Sequence, residues 1–472
     1  MLSAYGRRIY FPKGILTQSA EAGAKAHLYN ATIGIATEGG GPMHLATVQE
    51  QLKSVEPKDA YPYAPAAGRP KLREAWRDKL ISENPTLENR SFGLPVVTAA
   101  ITHGLGLAGD LFVDPGDRIL LPDKLWGNYR LNFEVRLGGE IATFPFYEGA
   151  GFNCDAFESA LRENAEGRDK LVVVLNFPNN PTGYMPTREE SERIVEALHR
   201  QAERGTRLVV IVDDAYFGLF YDLGGSCMSE SLFGLLTGLH ENLLAVKLDG
   251  ATKEYFVWGL RCGFITLGPG TPESAEVVCE VIEAKLKGAI RAGISNVSQL
   301  SQSLIEKALV SEEIEVQRKE KYEILRKRAE EVYRVASAPH FSDSWAVYPF
   351  NSGYFMCLEI KGVDAEKLRL HLLDEYGIGL IATTPSDVRV AFSCLELEEI
   401  EPLLYGEPLR SNPPALYFSA YPTAFNLRNA TKHHKKQKKK RLPAGPKMEQ
   451  DPKQKDTNTQ KDTAKGHAGL LP

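Results

Sequence analysis

The stretch K-L-D-G-A-T-K-E-Y-F-V-W-G-L-R (residues 247–261) leads from an apolar, strand-like run to a lysine, which an arginine follows eight positions later. Two shorter segments precede it, N-F-P-N-N-P-T-G (residues 176–183) and V-D-D-A-Y (residues 212–216). A lysine whose pKa is lowered by desolvation or a nearby cation can condense with an aldehyde. A carboxylate at a strand end can keep a pyridine nitrogen protonated. With asparagine and tyrosine for a phenol oxygen and arginine for a phosphate, the three segments predict a pyridoxal 5'-phosphate site.

The composition indicates an ordinary globular protein of more than one domain. The chain has 472 residues, of which 43% are hydrophobic and 25% charged. No apolar run approaches the roughly 20 residues needed to span a bilayer, and the N-terminus lacks the apolar core of a secretion signal. We therefore expect a cytoplasmic protein without a membrane partner. The six cysteines are scattered without metal-ligand spacing, so we expect reduced thiols and no metal site.

The net charge of -5 is unevenly distributed along the chain. From Ser411 onward there are 13 lysines and arginines against 4 aspartates and glutamates, so the preceding body is acidic, which argues against a nucleic-acid partner. Residues 411–472 are expected to be disordered, because their polar composition cannot bury enough apolar surface. We interpret the basic run at residues 433–441 as solvated tail, with a nuclear signal, an RNA-binding patch or an aberrant extension as alternatives.

Between residues 92 and 268, short β-branched runs alternate with amphipathic segments such as residues 187–204. Near-continuous apolar strands separated by helices predict an α/β fold whose mostly parallel sheet is covered by helices on both faces. Beyond Pro272 the expected helices span residues 273–288, 296–333 and 366–376, and the expected strands span residues 353–360 and 388–392.

These patterns predict four regions. They are an N-terminal segment that joins the small domain (residues 1–45), a large cofactor-binding domain (46–290), a small C-terminal α/β domain (291–410) and the disordered basic tail (411–472).

The residues at the predicted strand ends have simpler explanations when each is taken alone. Lys253 is then a surface lysine, and one of Asp213 and Asp214 caps the next turn. Asn180 belongs to an ordinary β-turn, because proline removes a donor and glycine permits positive φ. Tyr216, two or three residues beyond the aspartates, could donate its hydroxyl to a cofactor phenolate.

Residues 97–108 run from a strand into a helix. The free amides of Ala100 and Ile101, with the Thr102 hydroxyl, would face a phosphate at the helix N-terminus. Thr is also an ordinary N-cap residue, so this signal is weak by itself. Trp126 could stack on a planar ring or belong to the core.

In this order the segments resemble those of the class I and II aminotransferases of fold type I, and the aspartate and aromatic aminotransferases are the most similar in their motifs. The resemblance covers roughly residues 30–400. It implies that Lys253 forms the Schiff base with pyridoxal phosphate and then moves a proton between the substrate α-carbon and the cofactor C4′. The other implied cofactor contacts are Asp213 for the pyridine nitrogen, Asn180 and Tyr216 for the phenolate, Arg261, Thr102 and the Ala100 and Ile101 amides for the phosphate, and Trp126 for stacking.

The same resemblance implies substrate contacts and a partner subunit. Tyr63, in Y-A-P-A-A-G, is similar to the tyrosine that reaches the phosphate of the neighbouring subunit, which implies a homodimer with shared active sites. Arg389 matches the arginine that clamps the substrate α-carboxylate. Arg291, in A-I-R-A-G-I-S-N, resembles the arginine that crosses the dimer to bind a side-chain carboxylate. Its alternative interpretation is a salt bridge at a helix start.

The chain departs from the family pattern in three places. Gly250 stands where the family usually has a phosphate-binding serine, so the phosphate site is either weaker or completed by Thr252. Either Gly34 or Ala36 corresponds to the glycine of the substrate-carboxylate loop. The closing helix is expected to be interrupted after Leu404, at the positions Gly406, Pro408 and Pro413.

Taken together, the sequence predicts a pyridoxal-phosphate-dependent aminotransferase that works by a ping-pong mechanism on an L-amino acid and a 2-oxo acid. Aspartate, glutamate and aromatic amino acids are plausible donors. A lyase or decarboxylase of the same fold is one alternative, because the cofactor carries the chemistry. A regulatory protein that binds the cofactor without catalysis is the other.

Overall fold

The computed structural model describes residues 1–10, 14–221, 223 and 226–407. The predicted disordered tail at residues 411–472, with its basic run, lies outside the described residues, as do Pro408 and Pro413. No helix within the described ranges combines the length and apolarity needed to cross a membrane.

The described strands form a seven-stranded sheet, a four-stranded sheet and three two-stranded pairs. In chain order they are β1 (Tyr29–Asn30), β2 (Thr37–Glu38), β3 (Gly41–Pro42), β4 (Val96–Thr98), β5 (Arg118–Pro122), β6 (Glu140–Phe144), β7 (Tyr147–Glu148), β8 (Gly151–Phe152), β9 (Lys170–Asn176), β10 (Arg207–Asp213), β11 (Leu243–Gly250), β12 (Gly263–Gly268), β13 (Trp345–Val347), β14 (Met356–Ile360), β15 (Ile378–Gly379), β16 (Ile381–Ala382) and β17 (Asp387–Val390).

Most of the described helices lie in the connections between these strands. They are α1 (Ala4–Arg8), α2 (Ile15–Lys25), α3 (Ala46–Lys53), α4 (Pro57–Ala60), α5 (Pro70–Glu83), α6 (Ala100–Phe112), α7 (Cys154–Ala165), α8 (Arg188–Glu203), α9 (Leu232–Leu236), α10 (Ala251–Glu254), α11 (Pro272–Gly293), α12 (Gln299–Leu309), α13 (Glu312–Ala336), α14 (Ala365–Tyr376) and α15 (Leu397–Tyr405).

The seven-stranded sheet has the order β4-β12-β11-β10-β9-β5-β6. Only β12 runs against its neighbours β11 and β4; the other adjacent pairs are parallel. The predicted mostly parallel sheet is therefore confirmed. In such a sheet the functional groups gather beyond the carboxyl ends of the strands.

Alternate residues of the central strands pack on opposite faces of this sheet. Val173 and Leu175 belong to a core cluster that includes residues of α7 and α8, whereas Val172 and Val174 belong to a second cluster with residues of α6 and α11. Because successive side chains of a strand point to opposite faces, a run of apolar residues is buried on both sides. Helices cover both faces, as predicted.

The four-stranded sheet, in the order β13-β14-β17-β16, is antiparallel. The N-terminal segment contacts this sheet and the strand that precedes β16. Strand β1 pairs with β15, and the Gln18 side chain exchanges hydrogen bonds of 3.0 and 2.8 Å with the backbone of Ala382 in β16. The division into residues 1–45, 46–290 and 291–410 stays a prediction.

The helix expected at residues 296–333 is wrong in its continuity, because two helices, α12 and α13, stand in its place and are separated at Val310 and Ser311. Three glutamates occupy the first turn of α13, where negative charge favours a helix start. Periodicity alone missed this break because both helices are amphipathic. At the C-terminal side, α15 ends at Gly406, which adopts the left-handed conformation with φ 69°.

The turn that follows β9 connects the two sheets through Gly183. Its carbonyl oxygen accepts hydrogen bonds of 2.9 Å from the amides of Asn351 and Ser352, just ahead of β14. Its φ is +74°, and a Cβ added there would lie 2.0 Å from the carbonyl oxygen of Phe355. Glycine is therefore required both for its conformation and for the close approach of the two backbones.

Gly183→Ala is expected to lower the free energy of unfolding by roughly 2–5 kcal/mol, because positive φ and a backbone clash both add strain. The matched control is Gly205→Ala: Gly205 has φ +90° and nothing within 4 Å of an added Cβ, so it isolates the conformational term. Urea unfolding of both variants measures the difference. Equal losses would mean that the close approach of the Phe355 carbonyl adds no cost at residue 183.

Candidate active site

A cavity of about 260 Å³ opens at the carboxyl ends of the central strands. Ten of the twelve predicted site residues line it: Ala100, Ile101, Thr102, Trp126, Asn180, Asp213, Tyr216, Lys253, Arg261 and Arg389. They come from segments spread over nearly 300 positions of the chain. The fold therefore gathers residues that the sequence could only associate by type.

Asp213, the last residue of β10, is 1% exposed and presents its carboxylate to the cavity. The Tyr129 hydroxyl donates a 2.7 Å hydrogen bond to its Oδ2, and the Ala215 amide donates one of 3.1 Å to its Oδ1. Burial raises the pKa of Asp213 to about 6, although both hydrogen bonds and Lys253 oppose the shift. The carboxyl is thus mainly ionised at neutral pH.

Lys253 lies on the one-turn helix α10, directly after β11. Burial lowers the pKa of its amine to about 8; nearby Asp213 acts against the shift and Arg261 adds to it. The Nζ atom is 5.1 Å from the centre of the Tyr216 ring. A substantial neutral fraction of the amine is therefore present near pH 8, as nucleophilic attack on an aldehyde requires.

A chain of hydrogen bonds crosses from the large sheet to the small one. The Asn176 side chain accepts from the Asn180 amide at 2.9 Å, and the Asn180 Oδ1 accepts from Arg389 Nη1 at 3.2 Å. Arg389 Nη2 donates to the Thr32 carbonyl at 3.0 Å, and the guanidinium lies 4.0 Å from the centre of the Phe355 ring. Arg389 is thereby fixed in the cavity wall.

Arg389 keeps part of its donor capacity free. It is 2% exposed, and its buried Nε has no hydrogen-bond partner among the described residues. A buried guanidinium without a carboxylate partner is costly, so an anionic ligand in the cavity is favoured.

Asp214 points away from the cavity, in contrast to Asp213. Its Oδ2 accepts a hydrogen bond of 2.6 Å from the Ser231 hydroxyl and pairs with the fully buried Lys247. Asp249 Oδ2 lies 3.6 Å from the same ammonium group. Of the two adjacent aspartates, only Asp213 is therefore available to a ligand.

Three backbone segments meet closely at one end of the cavity. Gly250 on β11 pairs with Gly263 on β12, and a Cβ added at Gly250 would lie 2.6 Å from the Gly263 Cα. A Cβ added at Gly263 would in turn lie 2.8 Å from the Cα of Ala100, which begins α6. The pairing of β11 with β12 leaves no room for a side chain at residue 250. The absence of the serine that the resembling family usually has there therefore has a steric reason.

The same end of the cavity carries groups suited to an anion. Thr102 and the first amides of α6 lie there with Arg261 and Thr252. Within the part of the chain that the structure describes, the buried Thr252 hydroxyl has no hydrogen-bond partner. Because an unsatisfied buried hydroxyl is unfavourable, this orphaned group fits a ligand oxygen.

Two predicted residues lie away from the cavity of their own chain. Tyr63 is 90% exposed. Arg291 is in the last turn of α11 and donates a 2.6 Å hydrogen bond to the Ser295 hydroxyl. The alternative of a salt bridge at a helix start is wrong, because Arg291 lies at the end of a helix and bonds a neutral hydroxyl.

Several cavity residues escaped the sequence analysis. Tyr129 is the most important, because its hydroxyl directly contacts Asp213. It follows Trp126 by three positions, and the two rings pack edge to face with centres 5.7 Å apart. Ile15, which the sequence did not point to, also lines the cavity, together with Gly34, one of the two candidates for the loop glycine, so the N-terminal segment contributes to the cavity wall. Nothing in the local sequence around Tyr129 distinguishes it from a core tyrosine.

Comparison with known proteins identifies the family. Residues 39–405 match the sequence model of aminotransferase class I and II. The chain belongs to the class I and II aminotransferases. This family depends on pyridoxal phosphate, and the predicted fold type I architecture is thereby confirmed.

Individual relatives are more distant. A probable aspartate/prephenate aminotransferase of Aquifex aeolicus is 30% identical over 205 residues, which are 43% of this chain and 48% of the relative. An asparagine–oxo-acid transaminase of Streptococcus mutans is 23% identical over 365 residues, 72% of this chain and 82% of the relative. The chain spans about half the length of the first curated relatives that it matches.

Solved structures share the fold. An aminotransferase from Anaerococcus prevotii has a TM-score of 0.76 at 23% identity and covers 86% of this chain and 98% of its own. The aspartate aminotransferase of Thermus thermophilus with maleate has a TM-score of 0.69 at 20% identity, with the same coverage.

Competitive acetylation of the cofactor-free, full-length protein should titrate Lys253 with a midpoint near pH 8, below the ordinary lysine value of 10.5. The neutral amine becomes available at lower pH because burial disfavours the cation. Asp213→Asn should move the midpoint lower still, since it removes the carboxylate that stabilises the ammonium. Mass spectrometry follows the labelling, with exposed Lys285 as internal reference. A midpoint above pH 10 would contradict the buried environment.

Thr252→Val should weaken binding of pyridoxal phosphate by about 10-fold or more, as expected for loss of a hydrogen bond to a charged group. Stability should be unchanged or slightly higher, because the hydroxyl has no protein partner. Unphosphorylated pyridoxal is the control ligand, whose affinity should not change.

Gly250→Ser should lower both stability and cofactor affinity, since its side chain has no space; tighter binding by this variant would refute the steric argument.

Proposed function

We propose that this protein is a pyridoxal-phosphate-dependent aminotransferase that moves an amino group between an L-amino acid and a 2-oxo acid. The observation that carries the proposal is the half-buried Lys253 facing one cavity with the buried carboxylate of Asp213 and the partly unsatisfied Arg389. An amine, a carboxylate and a guanidinium in one enclosed space suit an aldehyde, a ring nitrogen and a substrate carboxylate. Family membership supports the same conclusion.

In this proposal each side chain has a separate task in holding the cofactor. Thr102, Arg261 and the amides of Ala100 and Ile101 hold the phosphate, with Thr252 in place of the family serine. Trp126 covers the ring, Asn180 and Tyr216 contact the phenol oxygen, and Asp213 contacts the pyridine nitrogen. Tyr129 fixes the Asp213 carboxylate by its hydrogen bond.

The bound cofactor supplies an electron sink for the negative charge that develops at the substrate α-carbon. With the cofactor bound, Lys253 would move a proton between that carbon and the cofactor C4′, because its amine is neutral enough to act as a base near pH 8. Arg389 orients the substrate by a bidentate contact with its α-carboxylate. The two half-reactions follow each other in a ping-pong order.

We further propose that the working form is a cytoplasmic homodimer. Tyr63 would then reach the phosphate in the partner subunit, and Arg291 would reach a side-chain carboxylate there; both are exposed in the single chain. Aspartate is the favoured donor, since it appears in the names of two relatives. Glutamate and aromatic amino acids are the other donors that the sequence motifs indicate. Closure of the proposed small domain, residues 291–410, would accompany substrate binding.

The test is a half-reaction of full-length protein with pyridoxal phosphate and one amino acid at a time, without any 2-oxo acid. Stoichiometric formation of pyridoxamine phosphate and a 2-oxo acid, measured by mass spectrometry, is the expected result with aspartate. Lys253→Ala should abolish it. Arg291→Met should impair aspartate but not an aromatic donor, with Lys287→Met on the same helix as control.

Other outcomes identify the alternatives. Continuous release of ammonia or carbon dioxide, with the cofactor unchanged, would indicate a lyase or decarboxylase. Cofactor bound to Lys253 but unresponsive to every amine would indicate a regulatory protein. Absence of any borohydride-reducible adduct on Lys253 in the wild type would refute the proposed function itself.

A further inference from the structure

Glu254 directly follows Lys253 but points the opposite way, into a buried cluster of charges. We name the Glu254 cluster by its four members, Lys79 and Glu83 on α5, Glu254 on α10 and Arg318 on α13. The Glu254 side chain is only 2% exposed, that of Lys79 8% and that of Arg318 16%. A carboxylate this deeply buried is found in proteins only when it is paired.

The geometry of the cluster centres on one oxygen atom. Glu254 Oε2 forms ion pairs with Lys79 Nζ at 2.6 Å and with Arg318 Nη2 at 3.5 Å, although among the described residues it accepts no hydrogen bond of regular geometry. Glu83 pairs with the same Lys79 and lies 3.6 Å from Arg318. Glu254 is therefore the one carboxylate through which α10 is tied to both α5 and α13 within this cluster.

The two cations are themselves held in place by aromatic rings. Lys79 Nζ lies 4.8 Å from the centre of the Trp76 ring, and the Arg318 guanidinium lies 4.8 Å from that of Tyr255. Further along α13, Arg328 donates hydrogen bonds of 2.7 and 2.8 Å to the carbonyls of Thr37 and Ser393. The groups that bind Glu254 thus belong to well-anchored elements.

The helix that carries Lys253 cannot fix its own orientation. A single turn of four residues gains too little from its own hydrogen bonds to be stable alone. The chain leaves this turn through Phe256, a non-glycine residue at φ 54°. Such a conformation is strained and persists only where the surroundings enforce it. An external anchor on α10 is therefore needed to hold the lysine toward the cavity.

We infer that Glu254 is a positioning residue, which holds the amine of Lys253 in its reactive orientation by tying α10 to Lys79 and Arg318. The inference rests on the proposed function only in taking Lys253 as the lysine that captures the aldehyde cofactor. Glu254 itself does not line the cavity and touches no reacting atom. Its contribution is geometric, since a displacement of about 1 Å at a reacting group can cost on the order of 100-fold in rate.

The experiment measures how fast full-length, cofactor-free protein captures pyridoxal phosphate on Lys253, trapped with borohydride and quantified by mass spectrometry. Burial raises the pKa of Glu254 to about 7, so its side chain is mainly ionised only above that pH. Above pH 7, Glu254→Gln should slow capture by about 10-fold or more, because the amide cannot hold both cations. The pH midpoint for acetylation of Lys253 should stay near 8, since the orientation changes and not the charge facing the amine. Glu254→Asp should recover part of the rate.

Glu83→Gln is the matched control. It removes a carboxylate from the same two cations, yet Glu83 lies on α5 and does not hold α10. Its capture rate should stay within about twofold of wild type, a difference far below that of a misplaced reacting group. If Glu254→Gln does not fold, Glu254→Asp replaces it in the test. This variant should then capture pyridoxal phosphate more slowly than the wild type.

Three outcomes would overturn the inference: wild-type capture by the Glu254 variants, equal slowing by Glu83→Gln, or a shifted acetylation midpoint that accounts for the whole loss of rate. None of them bears on the proposed function, which requires only that the wild type captures the cofactor. Conversely, a wild-type chain that captures no cofactor would refute the proposed function before the variants are compared.

Discussion

The close backbone approach of Gly250, Gly263 and Ala100 is the constraint on which the cavity depends. It brings the end of β11, the start of β12 and the first turn of α6 into direct backbone contact, with no side chain between them. Because these segments carry the lysine, the arginine and the free amides, their separation sets the size of the anion-binding end. The family serine is excluded by the same contact, and Thr252 is the neighbouring hydroxyl that remains free to bind a ligand.

Charge is separated into two layers around the lysine. The cavity layer contains Lys253, Asp213 and Arg389, which need a ligand to complete their hydrogen-bond and charge partners. The layer behind it contains ion pairs such as Lys247 with Asp214 and Lys79 with Glu254, which are buried and mutually compensated. Buried ion pairs are weak contributors to stability, but removal of one partner is costly. These ion pairs therefore serve mainly to fix the positions of the segments that carry them. Asp214 directly follows Asp213, and Glu254 directly follows Lys253, so both pairs lie beside residues of the cavity.

The two sheets meet through a small number of directional contacts. Arg389 on β17 bonds to Asn180, and Asp387 on the same strand pairs with Lys124 at 2.6 Å. Both contacts, with the Gly183 turn, place the small sheet against the carboxyl ends of the large one. Arg389 is consequently held by a residue of the turn that follows β9 in the large sheet.

Local sequence was enough to predict most strands of the large sheet, the helix periodicity and the kind of cofactor, because apolar runs and motifs such as 176–183 are local properties. The strand β6 was not predicted. Which side chains meet depended on the packing of the whole chain. Tyr129 contacts Asp213, 84 positions away, and Glu254 meets Lys79, so no local pattern could reveal either pair. The break in the helix predicted at 296–333 was likewise missed, since both halves share one amphipathic pattern. Contacts between distant segments depend on packing, and packing is fixed only when the whole chain is folded.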